Sequence, residues 1–391
     1  MGALGAMRLR LLRPVGEPVP LRVRGQPTHT ADWNGYMSAW VDSGTTALGV
    51  AIGAAAELPG RTAPTVILPA FGCPDLVAAA QWAGVTPRLV DTLPERPWVD
   101  AAAVGDAMDA SVCAIVAPHF LGLRHPLGKL NEVCQRSGAL LIEDSAQMGP
   151  TSPSFRPEAD LVVLSFGRGK PIPAGGGLLL SRGSAAHVVE RIAARLPEAG
   201  PQKAGWQMRT LVQNLGMTRV GFGLAARIPW LRVGETRYKD LRSPYRLRPG
   251  FRDAVREVIS NWHVHEPAAA RAYQEAFEAD GAPGLAGSLG WDGASPLLRY
   301  PALVEDATAR DAICDDLNRL GIGASPFYGS ALPDLEGMPD LEQPGNVPNA
   351  RDFAARLFTL PAHSGVRPRD IRLIEDTVIR QHGALRQQPG T

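Results

Sequence analysis

The chain has 391 residues, with 40 Lys and Arg against 39 Asp and Glu, and a net charge of +1. This balance gives no overall attraction to nucleic acid, which we therefore do not expect as a partner. Hydrophobic residues make up 45% of the chain and charged residues 20%, as is ordinary for a soluble globular protein. The length exceeds what one hydrophobic core usually serves, so a large and a smaller domain are expected.

Cysteine usage and hydropathy indicate the compartment. No Cys-x-x-Cys pair occurs, which argues against a zinc site and against a disulfide framework. No run of about 18 apolar residues occurs, so no membrane span is expected. Prolines and Glu17 interrupt the basic N-terminus before a signal peptide could form. We expect a cytoplasmic protein with four scattered cysteines, Cys73, Cys113, Cys134 and Cys314.

The first motif along the chain is Ser43-Gly44-Thr45-Thr46, which opens an apolar, helix-like stretch. Hydroxyls and a glycine at a helix start offer backbone N–H groups and the positive end of the helix dipole to a phosphate. A simple helix N-cap has the same pattern. These residues alone leave both interpretations open.

From about residue 45 to residue 182, short apolar runs alternate with helix-like stretches such as 76–84 and 127–138. Continuously apolar runs are typical of buried parallel strands. The series predicts an α/β fold with a mostly parallel sheet covered by helices on both faces. The predicted strands are 65–68, 88–90, 113–116, 139–142 and 161–164.

Asp144 follows one of these predicted strands, within Glu143-Asp144-Ser145-Ala146-Gln147. A carboxylate at the end of an apolar strand is poorly solvated unless it has a cationic partner. A protonated pyridine nitrogen would be such a partner, and the ion pair would keep the ring an electron sink. The alternative is a helix cap or an ordinary loop carboxylate.

Lys170 follows the next strand, between Ser165 and the triple glycine 175–177. A primary amine at a strand end, flanked by glycines and a hydroxyl, suits an enzyme that holds an aldehyde cofactor as a Schiff base. The cofactor that this suggests is pyridoxal phosphate. A solvated loop lysine is the alternative. The triple glycine itself indicates close backbone approach near a strand start.

The segment 200–234 contains no acidic residue, and its basic residues alternate with apolar ones. A basic amphipathic segment can lie on a membrane surface, dock an acidic carrier protein or hold an anionic substrate. It can also be a helix packed on its own protein with solvated arginines. The basic residues are Lys203, Arg209, Arg219, Arg227 and Arg232.

After residue 249 the pattern changes to longer helical stretches over 251–277, 307–320 and 370–382, with a strand-like run at 297–300. This pattern predicts a smaller α+β domain. We predict a large cofactor-binding domain over residues 1–245, which includes the basic segment, and a small C-terminal domain over 246–391.

Several motifs in order along the chain resemble the DegT type of aminotransferases, which are fold-type-I pyridoxal phosphate enzymes acting mainly on keto-sugars of nucleotides. The resemblance rests on Ser43-Gly44-Thr45-Thr46, Pro118-His119-Phe120-Leu121-Gly122, the Asp144 motif, and Ser165-Phe166 followed by Lys170 and the triple glycine. The stretch from residue 346 to 363 resembles the closing motif of that family. The resemblance therefore covers nearly the whole chain.

The resemblance implies a role for each matching residue. Lys170 would be the Schiff-base lysine and the proton shuttle, and Asp144 would pair with the pyridine nitrogen. Gln147 would lie beside the phenolic oxygen of the cofactor. The phosphate would be held at the end of the sheet by Gly44, Thr45, Thr46 and Ser165.

The chain departs from the family where an aromatic residue usually stacks on the cofactor ring. That residue stands four positions after the proline that ends the second strand, and counting from Pro69 gives Cys73. Either the Cys73 thiol packs there as a small soft group, or Phe71 supplies the ring. A buried cysteine without a role is the third possibility.

Two further departures concern the substrate side. The Asn-x-Arg stretch of the family, whose asparagine reaches the phosphate across a dimer interface, aligns with Pro244 and Arg246. The resemblance still implies a homodimer with a shared site, in which Arg246 remains. Phe327 and Tyr328 stand where the family often has a histidine on the sugar side, so the substrate need not be an ordinary nucleotide sugar.

We therefore expect an aminotransferase that moves an amino group from glutamate or glutamine to a keto or aldehyde acceptor, either a keto-sugar or a natural-product intermediate. A lyase or dehydratase with the same cofactor is one alternative, although dehydrating relatives often lack the lysine that is present here as Lys170. A catalytically silent binding protein is the other, motivated by Cys73 and Pro244.

Overall fold

The computed structural model describes residues 11–21, 33, 35–58, 62–228, 236–341 and 346–386. Its strands are β1 (Met37–Val41), β2 (Thr65–Pro69), β3 (Thr86–Val90), β4 (Val112–Pro118), β5 (Leu140–Asp144), β6 (Leu161–Ser165), β7 (Gly177–Ser181), β8 (Glu198–Ala199), β9 (Arg246–Leu247), β10 (Arg299–Leu303) and β11 (Leu357–Pro361). Within the described ranges, β1 to β9 form one sheet and the last two strands form a second, antiparallel one.

The helices are α1 (Gly44–Ala56), α2 (Asp75–Trp82), α3 (Ala101–Asp106), α4 (Gly128–Ser137), α5 (Ala185–Arg195), α6 (Lys203–Gly216), α7 (Arg219–Ala225), α8 (Pro249–Ser260), α9 (Ala268–Asp280), α10 (Ala307–Arg319), α11 (Pro348–Arg356) and α12 (Pro368–Arg386). Among the residues that the structure describes, no helix is both long enough and apolar enough to cross a membrane.

The large sheet confirms the predicted α/β fold. Its order is β3-β2-β4-β5-β6-β7-β1-β9-β8. The first five strands in this order, β3, β2, β4, β5 and β6, are parallel. Strand β7 runs antiparallel between β6 and β1. Because β4, β5 and β6 point the same way, the loops that follow them meet at one edge of the sheet, where ligands collect in folds of this type.

Both faces of the large sheet are covered. Alternate side chains of β6 point to opposite faces, so Val163 packs in the cluster that contains α1, while Val162 and Leu164 pack against α8. Helix α1 is buried along most of its length. The apolar cluster around α1 continues without a break into the C-terminal residues, as far as α12.

The C-terminal part forms a smaller unit, in which α9, α10 and α12 pack with β10 and β11. The predicted helical stretch 251–277 is instead two helices, because the chain leaves the helix at Asn261 and Pro267 disfavours helical backbone in the preceding residue. Strand β9 pairs with β1, and α8 packs on the large sheet. We therefore propose that the boundary between the two units lies after α8, within 261–267.

One close backbone contact positions the start of α1. A Cβ atom at Gly177 would lie 2.2 Å from the Ser43 carbonyl oxygen and 2.7 Å from the Gly44 nitrogen. Real Cβ atoms do not approach backbone so closely, so Gly177, the last residue of the triple glycine and the first of β7, has to be glycine. The glycine run therefore serves close approach, as the sequence indicated.

Replacing Gly177 by Ala should destabilise the protein by about 1–3 kcal/mol, because backbone rather than a flexible side chain blocks the new methyl group. Urea unfolding monitored by circular dichroism measures the change. The matched control is Gly128→Ala in α4, where nothing lies within 4 Å of the added carbon. Its effect should stay within about 0.5 kcal/mol. Equal midpoints for the two variants would contradict the steric argument.

Candidate active site

The N-terminus of α1 meets the end of β6. Ser43 caps the helix by accepting a hydrogen bond from the Thr46 backbone N–H at 3.1 Å. A Cβ atom at Gly44 would lie 2.6 Å from the Ser165 Cβ and 2.8 Å from its Oγ. Only glycine permits this approach, which brings the Ser165 hydroxyl beside the first turn of α1. Helix dipole, backbone N–H groups and hydroxyl together suit a bound phosphate.

The two threonine hydroxyls of this turn have partners within the protein. Thr46 is buried and accepts a hydrogen bond from the Ser43 hydroxyl at 3.1 Å. Thr45 donates to the Asp75 carboxylate at 3.0 Å. A phosphate would therefore compete with Asp75 for the Thr45 hydroxyl, and Thr46 contributes mainly by holding the capped turn in shape.

Lys170 lies within electrostatic range of the Asp144 carboxylate. Asp144 ends β5, and its Oδ1 accepts a hydrogen bond from the Ala146 backbone N–H at 3.0 Å. Burial raises the pKa of Asp144, while the positive charge of Lys170 acts in the opposite direction. Lys170 follows β6 in a turn closed by its own backbone N–H, which donates to the Gly167 carbonyl at 3.2 Å. The site thus holds a desolvated carboxylate that favours a nearby cation.

Gln147 joins two loops that are far apart in sequence. Its Oε1 accepts from the Leu121 backbone N–H at 2.8 Å, and its Nε2 donates to the Tyr328 hydroxyl at 2.6 Å. Leu121 and Phe327 have φ angles of 55° and 63°, which are unusual for residues other than glycine. Backbone in the left-handed region therefore presents both partners to Gln147. Such strain persists where the surroundings hold it.

Tyr328 keeps its proton in this setting. Burial raises its pKa well above the ordinary value, and the neighbouring Cys73 and Asp144 act in the same direction. Since the Gln147 amide already donates to the phenol oxygen, the phenol proton is available as a donor to a group in the cleft.

The two candidates for the ring-stacking position have different surroundings. Phe71 is 2% exposed and packs edge-on against Phe120, Tyr328 and Phe353, at centroid distances of 5.9, 5.3 and 4.9 Å. It therefore belongs to the core behind the site. Cys73 instead lies within electrostatic range of Lys170 and Asp144, and burial raises the pKa of its thiol. The Cys73 thiol is therefore neutral.

A buried pair behind Asp144 was missed by the sequence reasoning. His119 Nδ1 accepts from the His125 backbone N–H at 3.0 Å, so its Nε2 carries the ring proton and donates to Glu143 at 2.8 Å. The His119 backbone N–H donates to the Asp144 carbonyl at 2.9 Å. The pair thus holds the end of β5 beside the end of β4. A glutamate inside an otherwise apolar strand was the available signal, because buried carboxylates need partners.

The contacts of Arg246 lie away from the cleft that contains Asp144 and Lys170. It lies in β9 at the far side of β1, its side chain is about half exposed, and its guanidinium is 3.6 Å from the Glu198 carboxylate. The neighbouring Ser243 has a φ angle of 51°. A role for Arg246 in a site shared with a second subunit stays a prediction.

Beside Lys170, a further cleft is lined by the N-terminal segment and by both units. Its wall includes Glu17, His265 and His363, with Trp262 on the apolar side. Glu17 is fixed by the Ser364 backbone N–H, which donates to it at 2.7 Å. The cleft therefore offers polar groups next to the amine of Lys170.

A mostly parallel sheet with a lysine, a desolvated aspartate and the N-terminus of a helix at its strand ends is the arrangement of the fold-type-I class of enzymes. The model of the DegT/DnrJ/EryC1/StrS aminotransferase family matches residues 35–219 and 257–379. The chain belongs to this family. No match was found among curated proteins.

Solved structures share the fold at low sequence identity. PseC of Helicobacter pylori, an aminotransferase in pseudoaminic acid biosynthesis, is 15% identical, with a TM-score of 0.64 and coverage of 89% of this chain and 87% of that one. The PLP form of a putative sugar aminotransferase from Streptococcus pneumoniae is 17% identical, with a TM-score of 0.64 and coverage of 89% and 87%. The E coli GDP-4-keto-6-deoxy-D-mannose-3-dehydratase is 16% identical, with a TM-score of 0.61 and 87% of each chain covered.

The Glu143 carboxylate should stabilise the fold in a pH-dependent way. Burial alone would raise its pKa, but the hydrogen bonds from His119, Glu158 and Ala159 outweigh burial and lower it. Because the folded pKa lies below the unfolded value of about 4.3, this stabilisation is present above that pH and is lost as the pH falls toward the folded pKa.

We expect Glu143→Gln to cost about 2 kcal/mol at pH 7, and the gap to wild type to narrow below about pH 4.3. Urea unfolding at a series of pH values measures this. Glu158→Gln serves as the control, because that side chain is half exposed and pairs with Arg124 at the surface. A gap that stays constant over the whole pH range would contradict the assignment.

Proposed function

We propose that this protein is a pyridoxal-phosphate-dependent aminotransferase that transfers an amino group from glutamate or glutamine to a keto or aldehyde acceptor. The observation that carries the proposal is that Asp144 ends β5 and Lys170 follows the adjacent strand β6, within electrostatic range of the desolvated Asp144 carboxylate. Membership of an aminotransferase family supports it. The acceptor that we propose is a keto-sugar or a natural-product biosynthetic intermediate.

The residues present fit the cofactor. The first turn of α1 and Ser165 would hold its phosphate, and Asp144 would pair with its pyridine nitrogen. Gln147 and Tyr328 would lie at its phenolic oxygen, and Cys73 would pack against its ring. When bound, pyridoxal phosphate supplies an electron sink for negative charge that develops at the substrate carbon.

Each side chain then has a defined task. Asp144 would hold a positive charge on the ring nitrogen of the bound cofactor, an arrangement that would also relieve the poor solvation of its own carboxylate. Lys170 Nζ would take a proton from the reacting carbon of the amino donor and deliver it to the cofactor, and would carry a proton the opposite way when the acceptor reacts. Tyr328 donates its phenol proton within the cleft, and Gln147 fixes the direction of that hydroxyl. The buried His119–Glu143 pair keeps Asp144 in position from behind.

The acceptor would enter beside Lys170, where the cleft lined by Glu17, His265 and His363 offers polar groups to a hydroxyl-bearing substrate. Phe327 would line the cofactor cleft on the side of Tyr328, since its ring packs on that tyrosine at a centroid distance of 4.3 Å. We further propose a homodimer with Arg246 serving a site shared between subunits, because its own contacts lead away from this cleft.

A dehydratase is the second candidate, since a sugar 3-dehydratase is among the proteins of similar fold. The presence of Lys170 favours transamination. Its amine can hold the cofactor as a Schiff base, and once the substrate has displaced it, the same amine can carry the proton of the reacting carbon. The two reactions differ in their products. Transamination leaves the amino group of the donor on the acceptor, whereas dehydration removes a hydroxyl group and leaves no amino group on the product.

Replacing Lys170 by Ala should lower the turnover number by about 10²–10⁴-fold or more, because the proton carrier is lost. It should also remove the visible absorption band of the lysine-linked cofactor. Absorption spectra with and without glutamate, and assays with a panel of keto-sugars and aldehydes, measure both effects. Arg168→Ala, an exposed neighbour in the same loop, is the control. A wild type without the band, or a band unchanged in Lys170→Ala, would refute the proposal.

Replacing Asp144 by Asn should change the apoprotein and the loaded enzyme in opposite ways. Burial raises the folded pKa of Asp144 above its unfolded value, so its ionised form at pH 7 costs stability, and that cost disappears as the pH falls through the folded pKa. The variant apoprotein should therefore unfold at a higher urea concentration at pH 7. With cofactor, its turnover number should fall by about 10²-fold or more.

The contrasting control is Asp109→Asn. Hydrogen bonds from Ser111 and Arg88 lower the pKa of this surface carboxylate, so its removal should not raise the unfolding midpoint. Asp144→Asn with an unchanged turnover number and a lower apoprotein midpoint would contradict the role assigned to Asp144.

A further inference from the structure

Helix α6 lies on the molecule with its amphipathic character reversed. Its inward face carries Trp206, Thr210, Gln213 and Asn214, while large apolar side chains point to solvent. A surface helix of a globular protein normally buries its apolar stripe and exposes its polar one. The outward stripe therefore needs an explanation that the fold of the single chain does not supply.

Hydrogen bonds fix this orientation. Trp206 Nε1 donates to the Ala174 carbonyl, and Gln213 Nε2 donates to the Pro173 carbonyl, both at 2.8 Å. Asn214 accepts from the Val19 backbone N–H at 3.0 Å and donates to the Val19 carbonyl at 2.8 Å. A rotation of α6 that buried its apolar stripe would break all four bonds. The helix is thus held to the loop after Lys170 and to the N-terminal segment.

Exposed apolar side chains occur on α6 and again on α7, which two residues separate from α6, and we call this set the α6–α7 face. Val212, Met208 and Leu215 are 62%, 61% and 59% exposed. Among the described residues, the large apolar side chains that are exposed all lie on this face except Met37. The full set on the face is Met208, Leu211, Val212, Leu215, Val220 and Leu224. Patches of this kind mark interaction sites.

Charge identifies what could cover the α6–α7 face. The segment 200–234 contains basic but no acidic residues. Lys203 and Arg219 pair with Glu257 and Asp370 of neighbouring helices. Arg209 and Arg227 are exposed at the border of the apolar stripe. Residues 229–235, with Trp230, Leu231 and Arg232, lie outside the described residues.

We propose that the α6–α7 face docks on an anionic lipid surface, with its apolar side chains in the interface and its arginines at the headgroups. Helices too short to span a bilayer can lie in its interface when an apolar face is bordered by basic residues. The described part of the chain contains no helix fit to span one. The family model leaves residues 220–256 unmatched, so α7 falls almost entirely in a part of the chain that the shared pattern does not include.

A second copy of the chain fits this face less well than a lipid surface. A dimer whose two-fold axis passed through the α6–α7 face would bring two acid-free segments together, with Arg209 and Arg227 of each copy approaching those of the other. Like charges placed against each other oppose association. An anionic membrane instead neutralises both arginines while it covers the apolar stripe. The docking proposal does not depend on the proposed catalytic function.

Co-sedimentation of the full-length protein, loaded with its cofactor, tests the proposal with two kinds of vesicle. We expect binding to phosphatidylcholine mixed with phosphatidylglycerol, and much weaker binding to phosphatidylcholine alone. The double variant Val212→Asp/Leu215→Asp should lower binding to the anionic vesicles by at least about tenfold. Arg209→Gln/Arg227→Gln should lower it by about fivefold for each arginine removed. Met37→Asp, an exposed methionine away from the face, is the control and should bind like wild type.

The oligomeric state of each variant, measured by sedimentation velocity, separates the lipid surface from a second copy. Dissociation of a wild-type dimer by Val212→Asp/Leu215→Asp would assign the face to contact between copies and overturn the proposal. Equal binding to both kinds of vesicle, no binding to either, or binding that survives the double variant would overturn it as well. Circular dichroism and the cofactor absorption band establish that the double variant is folded.

Discussion

A carboxylate at the end of a buried strand is costly unless a cation lies beside it, and the candidate site is arranged around that cost. Asp144 stands between β4 and β6, with its backbone held by His119 and its charge offset by Lys170. The charge of Lys170 offsets only part of the desolvation of the Asp144 carboxylate, so the pKa of Asp144 is raised. A pyridinium nitrogen would relieve the remainder, so the same imbalance that destabilises the empty site would favour cofactor binding.

Much of the fold could be predicted because buried parallel strands are apolar along their whole length. The runs at 65–68, 113–116 and 161–164 each lie within a strand of the structure. The prediction of one helical stretch over 251–277 was wrong because it followed the apolar pattern and did not weigh Pro267, which disfavours helical backbone in the residue before it. Within the site, neighbours along the chain were predictable, and the close approach of Gly44 to Ser165 agrees with the motif that suggested a phosphate.

The remaining site features depend on contacts that no local pattern encodes. The hydrogen bond from Gln147 to Tyr328 joins residues 181 positions apart. Phe71 and Cys73 are two residues apart in one loop, yet one lies in the aromatic core and the other beside the charged groups. For α6, the composition indicated an amphipathic helix, but only the hydrogen bonds of Gln213 and Asn214 reveal which face points inward.

The Gln147–Tyr328 bond has a consequence for motion within the protein. Gln147 belongs to the large unit, and Tyr328 follows α10 in the small one. If the two units move apart, the tyrosine hydroxyl leaves the cleft and the amide loses its partner. Opening of the cleft would then withdraw the proposed proton donor Tyr328 in the same event. Under the proposed function, one hydrogen bond would thus couple the donor's position to closure of the cleft.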